Sequence, residues 1–173
     1  VNPFRPSGLC ECMLKRIIPY TVKGFIYYQG ESDDHKPHTY YKLFTKMIEV
    51  WRRDWEDDTL PFLMVQLPMH RYMNDEVDYK NWCIIREAQM RAYQTVKNTG
   101  IAVIIDCGEY NEIHPKDKLS VGERLAWQAM YQVYENCEEE KAFGPIYDSC
   151  VQEGKVLRLR VRHVAGARVA KEP

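Results

Sequence analysis

The sequence predicts an α/β protein, a parallel sheet covered by helices on both faces, and three observations lead there. Short, continuously apolar segments alternate with longer segments whose apolar residues recur every three or four positions. Polar loops, several rich in glycine or proline, separate them. The composition, 45% apolar and 28% charged over 173 residues, supports one compact domain or a large piece of one.

The first strand is read over Val22–Tyr28 (VKGFIYY), apolar, aromatic and too short for a helix. A helix follows over Tyr40–Trp55, where Leu43, Phe44, Met47, Ile48, Trp51 and Trp55 keep helical spacing. Pro61–Leu67 (PFLMVQL) is a second strand, its proline at the first position, where a missing N–H is tolerated. Met69–Tyr79 is polar and irregular, a loop. Asn81–Lys97 is a second helix with Ile85, Ala88, Ala92 and Val96 on one face, and Gly100 is expected to end it. Ile101–Asp106 (IAVIID) is a third strand, and a loop with Gly108, Asn111 and Pro115 leads into a third helix over Lys118–Tyr134. Crossovers of one hand then stack the strands in a single sheet. Pro145–Val151 and Lys155–His163 flank Glu153–Gly154, a turn pair that predicts a β-hairpin. The expected division is therefore residues 1–144 for the layered α/β part and 145–173 for the hairpin and the start of a small β-element or tail.

Composition also excludes function classes. A formal net charge of −1 argues against a nucleic-acid protein. Arg158, Arg160 and Arg162 alternate with Leu157, Leu159 and Val161, which reads as a strand with one wet face. No apolar run reaches the ~20 residues of a membrane span. The six cysteines lack the spacing of a stapled scaffold, and the lone C-x-C of Cys10 and Cys12 has no second pair at zinc spacing. A cytoplasmic setting is expected, with secretion left open because the chain opens on Val1 without a visible leader.

Ligands of parallel sheets sit beyond the carboxyl ends of the strands. That rule selects the loops that begin at Gln29, Pro68 and Cys107. In the last of them, Pro115 restricts His114 to extended geometry, which suits a general base held on a stiff loop. After the first strand, Gly30 between Gln29 and Glu31 lets backbone N–H groups approach a substrate oxygen. Gln29 is a candidate oxyanion donor and Glu31 a candidate partner for a histidine, against the plainer reading of a polar strand-to-helix turn. Ser32 lacks the G-x-S-x-G elbow that exposes a nucleophile. Asp33, Asp34, His35 and His38 occupy a loop without metal-site spacing, so no metal is expected. Arg86 and Glu87 are expected to form local ion pairs rather than touch a substrate.

Four segments resemble a known family. Gly24–Asp33 (GFIYYQGESD) resembles the W-x-Q-G-E-S-[DN] block of the sialate O-acetylesterases, within the SGNH hydrolases. Leu60–Leu67 resembles the family's "LPF…QL" strand, and Ile85–Gln89 its "REAQ" helix. Ile113–Lys118 with Val121–Ala126 resembles its "IHPxxK…GERLA" block. The blocks stand in the family's order between Gly24 and Ala129.

This resemblance implies a three-layer α/β/α sandwich of flavodoxin type and removal of O-acetyl groups from a sugar without a cofactor or metal. A serine from a "GQSN" block attacks, the histidine matching His114 moves its proton, and an acid steadies the histidine. The position three before His114 is Asn111, which carries no charge; Glu31 is therefore the expected acid, with Glu109 and Glu112 as lesser candidates. Gln29 would be the oxyanion donor. No "GQSN" block is present. The serine-bearing N-terminal half is expected to lie outside these residues, leaving an exposed apolar sheet edge and an inactive isolated piece. Acetyl xylan esterases share similar blocks and are the competing substrate class. A non-catalytic, carbohydrate-binding remnant is the alternative of another kind.

Overall fold

The computed structural model describes residues 5–70 and 80–164. An irregular helical turn over Cys10–Ile17 precedes the sheet. The order is then β1 (Phe25–Tyr27), α1 (Pro37–Asp54), β2 (Phe62–Gln66), α2 (Asn81–Thr95), β3 (Thr99–Val103) and α3 (Lys118–Gln132). A short helical turn at Glu139–Ala142 leads into β4 (Ile146–Glu153) and β5 (Val156–Arg162).

The three central strands form one parallel sheet in the order β1-β2-β3, with Phe25 opposite Phe62 and Phe62 opposite Thr99. Alternation on β2 divides the core. Phe62 and Met64 face α1 and α2, where Tyr40, Phe44, Ile48, Ile85 and Ala92 complete the larger cluster. Val65 faces the other way and joins Ile104, Cys107 and Val121 under α3. Helices thus cover both faces, as the continuous apolar pattern predicts. Aromatic rings thicken the first layer, with Phe25 edge-on to Trp51 at 5.2 Å and Tyr27 stacked on Phe44 at 5.4 Å. Arg52, buried, closes the opposite end of the sheet by donating to the carbonyls of Leu60, Lys97 and Asn98.

The edge of β1 is open on the α3 side, where Ile26 is 71% exposed although its register partner Leu63 is buried. The edge of β3 is sealed by side chains instead of a strand. Buried Gln128 accepts from the Ile101 N–H and donates to the Ala142 carbonyl, and Arg124 donates to the Val103 carbonyl.

Gly100 does not end α2. It lies inside β3, where a Cβ would meet Leu63 and Gln128 at 2.7 Å, and the left-handed residue after the helix is Asn98 at φ 54°. The third strand consequently starts two residues earlier than its apolar run, and Ile105–Cys107 forms a 3₁₀ turn. The hairpin is antiparallel and turns at Gly154 with φ 64°, with a register shift between Tyr147 and Ser149. Both its faces are wet, since Leu157, Leu159 and Val161 are exposed together with the arginines. It touches the body through Phe143, whose ring stacks on His163 at 4.9 Å. Most of the Met69–Tyr79 loop and the tail after Ala165 lie outside the described residues. No described helix is long and apolar enough to cross a membrane.

Candidate active site

Parallel pairing places the exits of β1, β2 and β3 on one rim, and three contacts lock the loops there together. Tyr28, one residue past β1, packs on the Val65, Ile104, Cys107 and Val121 cluster, and the Lys118 ammonium lies 5.0 Å from its ring centre. Gly108, in the loop after β3, sits against the Pro68 ring and the Met69 backbone so closely that a Cβ would collide with the Met69 carbonyl. Gly30 sits against Leu67, Gln89 and Ile85, where a Cβ would find atoms at 3.0–3.2 Å, and its φ of 153° is one that side chains rarely adopt.

The turn after β1 is held from four sides. The Gln29 carbonyl accepts from the Tyr40 hydroxyl at 3.0 Å and from Gln89 Nε2 at 3.1 Å. The Gln29 side-chain oxygen accepts from the Tyr27 hydroxyl at 3.2 Å, and its Nε2 donates to Asp33 at 2.6 Å. That pair of bonds settles which way the amide faces and leaves one of its N–H groups unspent. Burial pushes the Tyr27 phenol up to about 12, so at neutral pH it remains a donor.

One face of α2 holds the exit of β2. Trp82 donates to the Pro68 carbonyl at 2.7 Å, Arg86 to the Leu67 carbonyl at 2.7 Å, and Gln89 accepts from the Leu67 N–H at 2.9 Å. These residues stand at i, i+4 and i+7, one stripe of a helix. Arg86 forms no ion pair among the described residues, and burial lowers its pKa; its guanidinium caps a carbonyl rather than meeting a local carboxylate. Gln89 is 1% exposed and was not singled out from its sequence, where only the "REAQ" resemblance marked it.

In the loop after β3, the structure brings Glu112, not Glu31, to the histidine. His114 Nδ1 lies 3.1 Å from Glu112 Oε1, which also accepts the His114 backbone N–H at 3.0 Å. Glu109 and Glu112 pair as an isolated antiparallel bridge in the same loop, two residues before the histidine. The bond from the His114 backbone and then that to its ring hold the Glu112 carboxyl below its ordinary range. Glu109 accepts from the Lys116 N–H at 3.1 Å and completes the loop. Asn111 is exposed at the turn and Glu31 makes no hydrogen bond or ion pair with His114. The His114 side chain is 87% exposed.

The histidine loop is anchored at its start by Asp106, which receives Arg124 on both oxygens at 2.5 and 2.7 Å. The hydrogen bonds from Arg124 hold the Asp106 carboxyl at about 2. At its far end Asp117 caps α3 by accepting from the Ser120 N–H at 3.0 Å. Ser32 is exposed in the turn after Gly30, with no histidine bonded to it. Among the described residues no group of three His, Cys, Asp or Glu side chains is placed to hold a metal ion.

Comparison with known proteins gives a consistent picture. The sequence model of the family described as "Carbohydrate esterase, sialic acid-specific acetylesterase" matches residues 9–131. A mouse sialate O-acetylesterase is 34% identical over 141 residues, covering 72% of this chain and 26% of the relative. The human sialate O-acetylesterase is 28% identical over 139 residues, with 72% and 27% covered. The crystal structure of a carbohydrate acetylesterase from Xanthomonas citri superposes with a TM-score of 0.76 at 35% identity, over 84% of this chain and 33% of that one. The chain therefore spans about a quarter of the length of the curated relatives it matches.

Proposed function

Because the chain belongs to the sialic acid-specific acetylesterase family of carbohydrate esterases, we propose that its histidine loop supplies the general base for hydrolysis of acetyl esters on a sugar, with O-acetylated sialic acid as the substrate. The observation that carries this reading is the His114–Glu112 contact of 3.1 Å on the rim that also holds the Gln29–Gly30 turn. The carboxylate at Nδ1 selects the tautomer whose Nε2 is free to accept a proton.

The nucleophile is a serine from outside these residues. It attacks the acetyl carbonyl as His114 Nε2 takes its proton, and the Gly30 N–H donates to the oxygen that becomes negative, in a turn steadied by the Gln29 amide through Tyr27 and Asp33. His114 returns the proton to the departing sugar oxygen. A water then attacks the acyl-serine, giving its proton to His114, and acetate leaves as serine recovers its hydrogen. Arg86 supports the rim by donating to the Leu67 carbonyl, and Asn111 lies exposed in the turn of the histidine loop. Residues up to 144 form the esterase portion in this reading, and the hairpin from residue 145 begins a separate small β-element.

Acetate release from O-acetylated N-acetylneuraminic acid, acetylated xylose oligosaccharides and a chromogenic aryl acetate tests it. The intact protein is expected to hydrolyse the first and the last, and the 173 residues alone to hydrolyse none. Hydrolysis by the 173 residues alone would overturn the external serine, and inactivity of the intact protein on all three would overturn the esterase reading.

A further inference from the structure

Resting on the reading of Gly30 as an oxyanion donor, we infer that Gln89 is the positioning residue that aims the Gly30 N–H. Gln89 is the one described side chain bonded to both strand exits. Its Oε1 accepts from the Leu67 N–H at 2.9 Å, and its Nε2 donates to the Gln29 carbonyl at 3.1 Å and lies 3.3 Å from the Tyr40 hydroxyl. With no cis peptide among the described residues, the Gln29 carbonyl and the Gly30 N–H point in opposite directions. Gln89 and Tyr40 draw that carbonyl toward α1 and α2, so the N–H is turned away from both helices. The Gly30 N–H has no acceptor among the described residues. The same amide fills the space a Cβ at residue 30 would need, which also fixes the height of the turn.

A buried amide that only supported the fold could be exchanged at a cost in stability, with turnover unchanged in the folded fraction. A positioning role makes a separate demand. Gln89→Met removes both bonds at similar volume. Gln89→Glu keeps an acceptor for Leu67 but presents a carboxylate to the Gln29 carbonyl unless it is protonated, and burial favours the protonated acid.

On the intact protein, Gln89→Met is expected to lower kcat by at least ~30-fold with KM within about threefold of the original. For Gln89→Glu, kcat relative to the unsubstituted protein at the same pH is expected to rise about tenfold from pH 8 to pH 6 as the acid regains its proton. The Gly30 amide supplies a reading independent of catalysis. Its NMR cross-peak should double or broaden in Gln89→Met while those of Lys118–Gln132 stay in place. An unchanged Gly30 peak, or kcat within threefold in both variants, overturns the inference. Absence of ester hydrolysis in the unsubstituted protein would instead sink the functional reading, and the Gly30 peak then decides the positioning role by itself.

Discussion

Arg124, on α3, grips both carboxylate oxygens of Asp106 while donating a further bond to the Val103 carbonyl at 2.8 Å. One guanidinium thus joins the third helix, the end of β3 and the start of the histidine loop. Asp106 is held at about 2 against an ordinary 3.8. A carboxyl whose folded value is depressed adds stability that is present above its unfolded value and lost as pH falls through the folded one. Urea unfolding midpoints should therefore fall as pH drops from about 4 to about 2. Asp106→Asn should flatten that part of the profile; an unchanged slope would remove the pair from the stability account. Because the Asp106 side chain is 62% exposed, the effect is expected to be modest.

Gly30→Ala places a Cβ 3.0–3.2 Å from Leu67, Gln89 and Ile85 at a φ of 153°. Both strain and crowding oppose it, and a loss of about 1–3 kcal/mol is expected. Chemical denaturation measures this, and a change below about 0.5 kcal/mol would mean that the turn relaxes freely.

Arg86→Met leaves the Leu67 carbonyl without its charged donor. Stability should fall by about 1–2 kcal/mol, with Arg86→Lys recovering only part because burial penalises the strongly hydrated ammonium more than the guanidinium. Full recovery by lysine in an unfolding assay would show that charge alone matters there.

Much of this architecture is legible in the residues themselves. The apolar runs around Phe25, Phe62 and Ile101 gave the strands, and three- and four-residue spacing gave the helices. The hairpin at Gly154 followed from turn chemistry. The difference at Gly100 has a local cause. Gly100 looked like a helix terminator because glycine often is one, but α3 packs Gln128 against it and Asn98 takes the left-handed position. Glu31 is favoured by the family resemblance once Asn111 stands three before His114, while the loop itself brings Glu112 Oε1 to 3.1 Å from His114 Nδ1. Gln89 carried no periodic or charge signal, because its meaning lies in two backbone groups from other strands.

His114→Ala should remove at least ~10³-fold of kcat while leaving the thermal midpoint nearly unchanged, since an 87% exposed side chain contributes little packing. Parallel circular dichroism melts and acetate-release rates separate the two effects, and a large drop in melting temperature would assign the residue to the fold.

The identity of the acid beside the base is tested most directly by kcat for Glu112→Gln against Glu31→Gln in the intact protein. Loss of about 10²-fold or more in the first, with the second within about tenfold, is the predicted result. The reverse order, Glu31→Gln crippled and Glu112→Gln near normal, would contradict the pairing at His114.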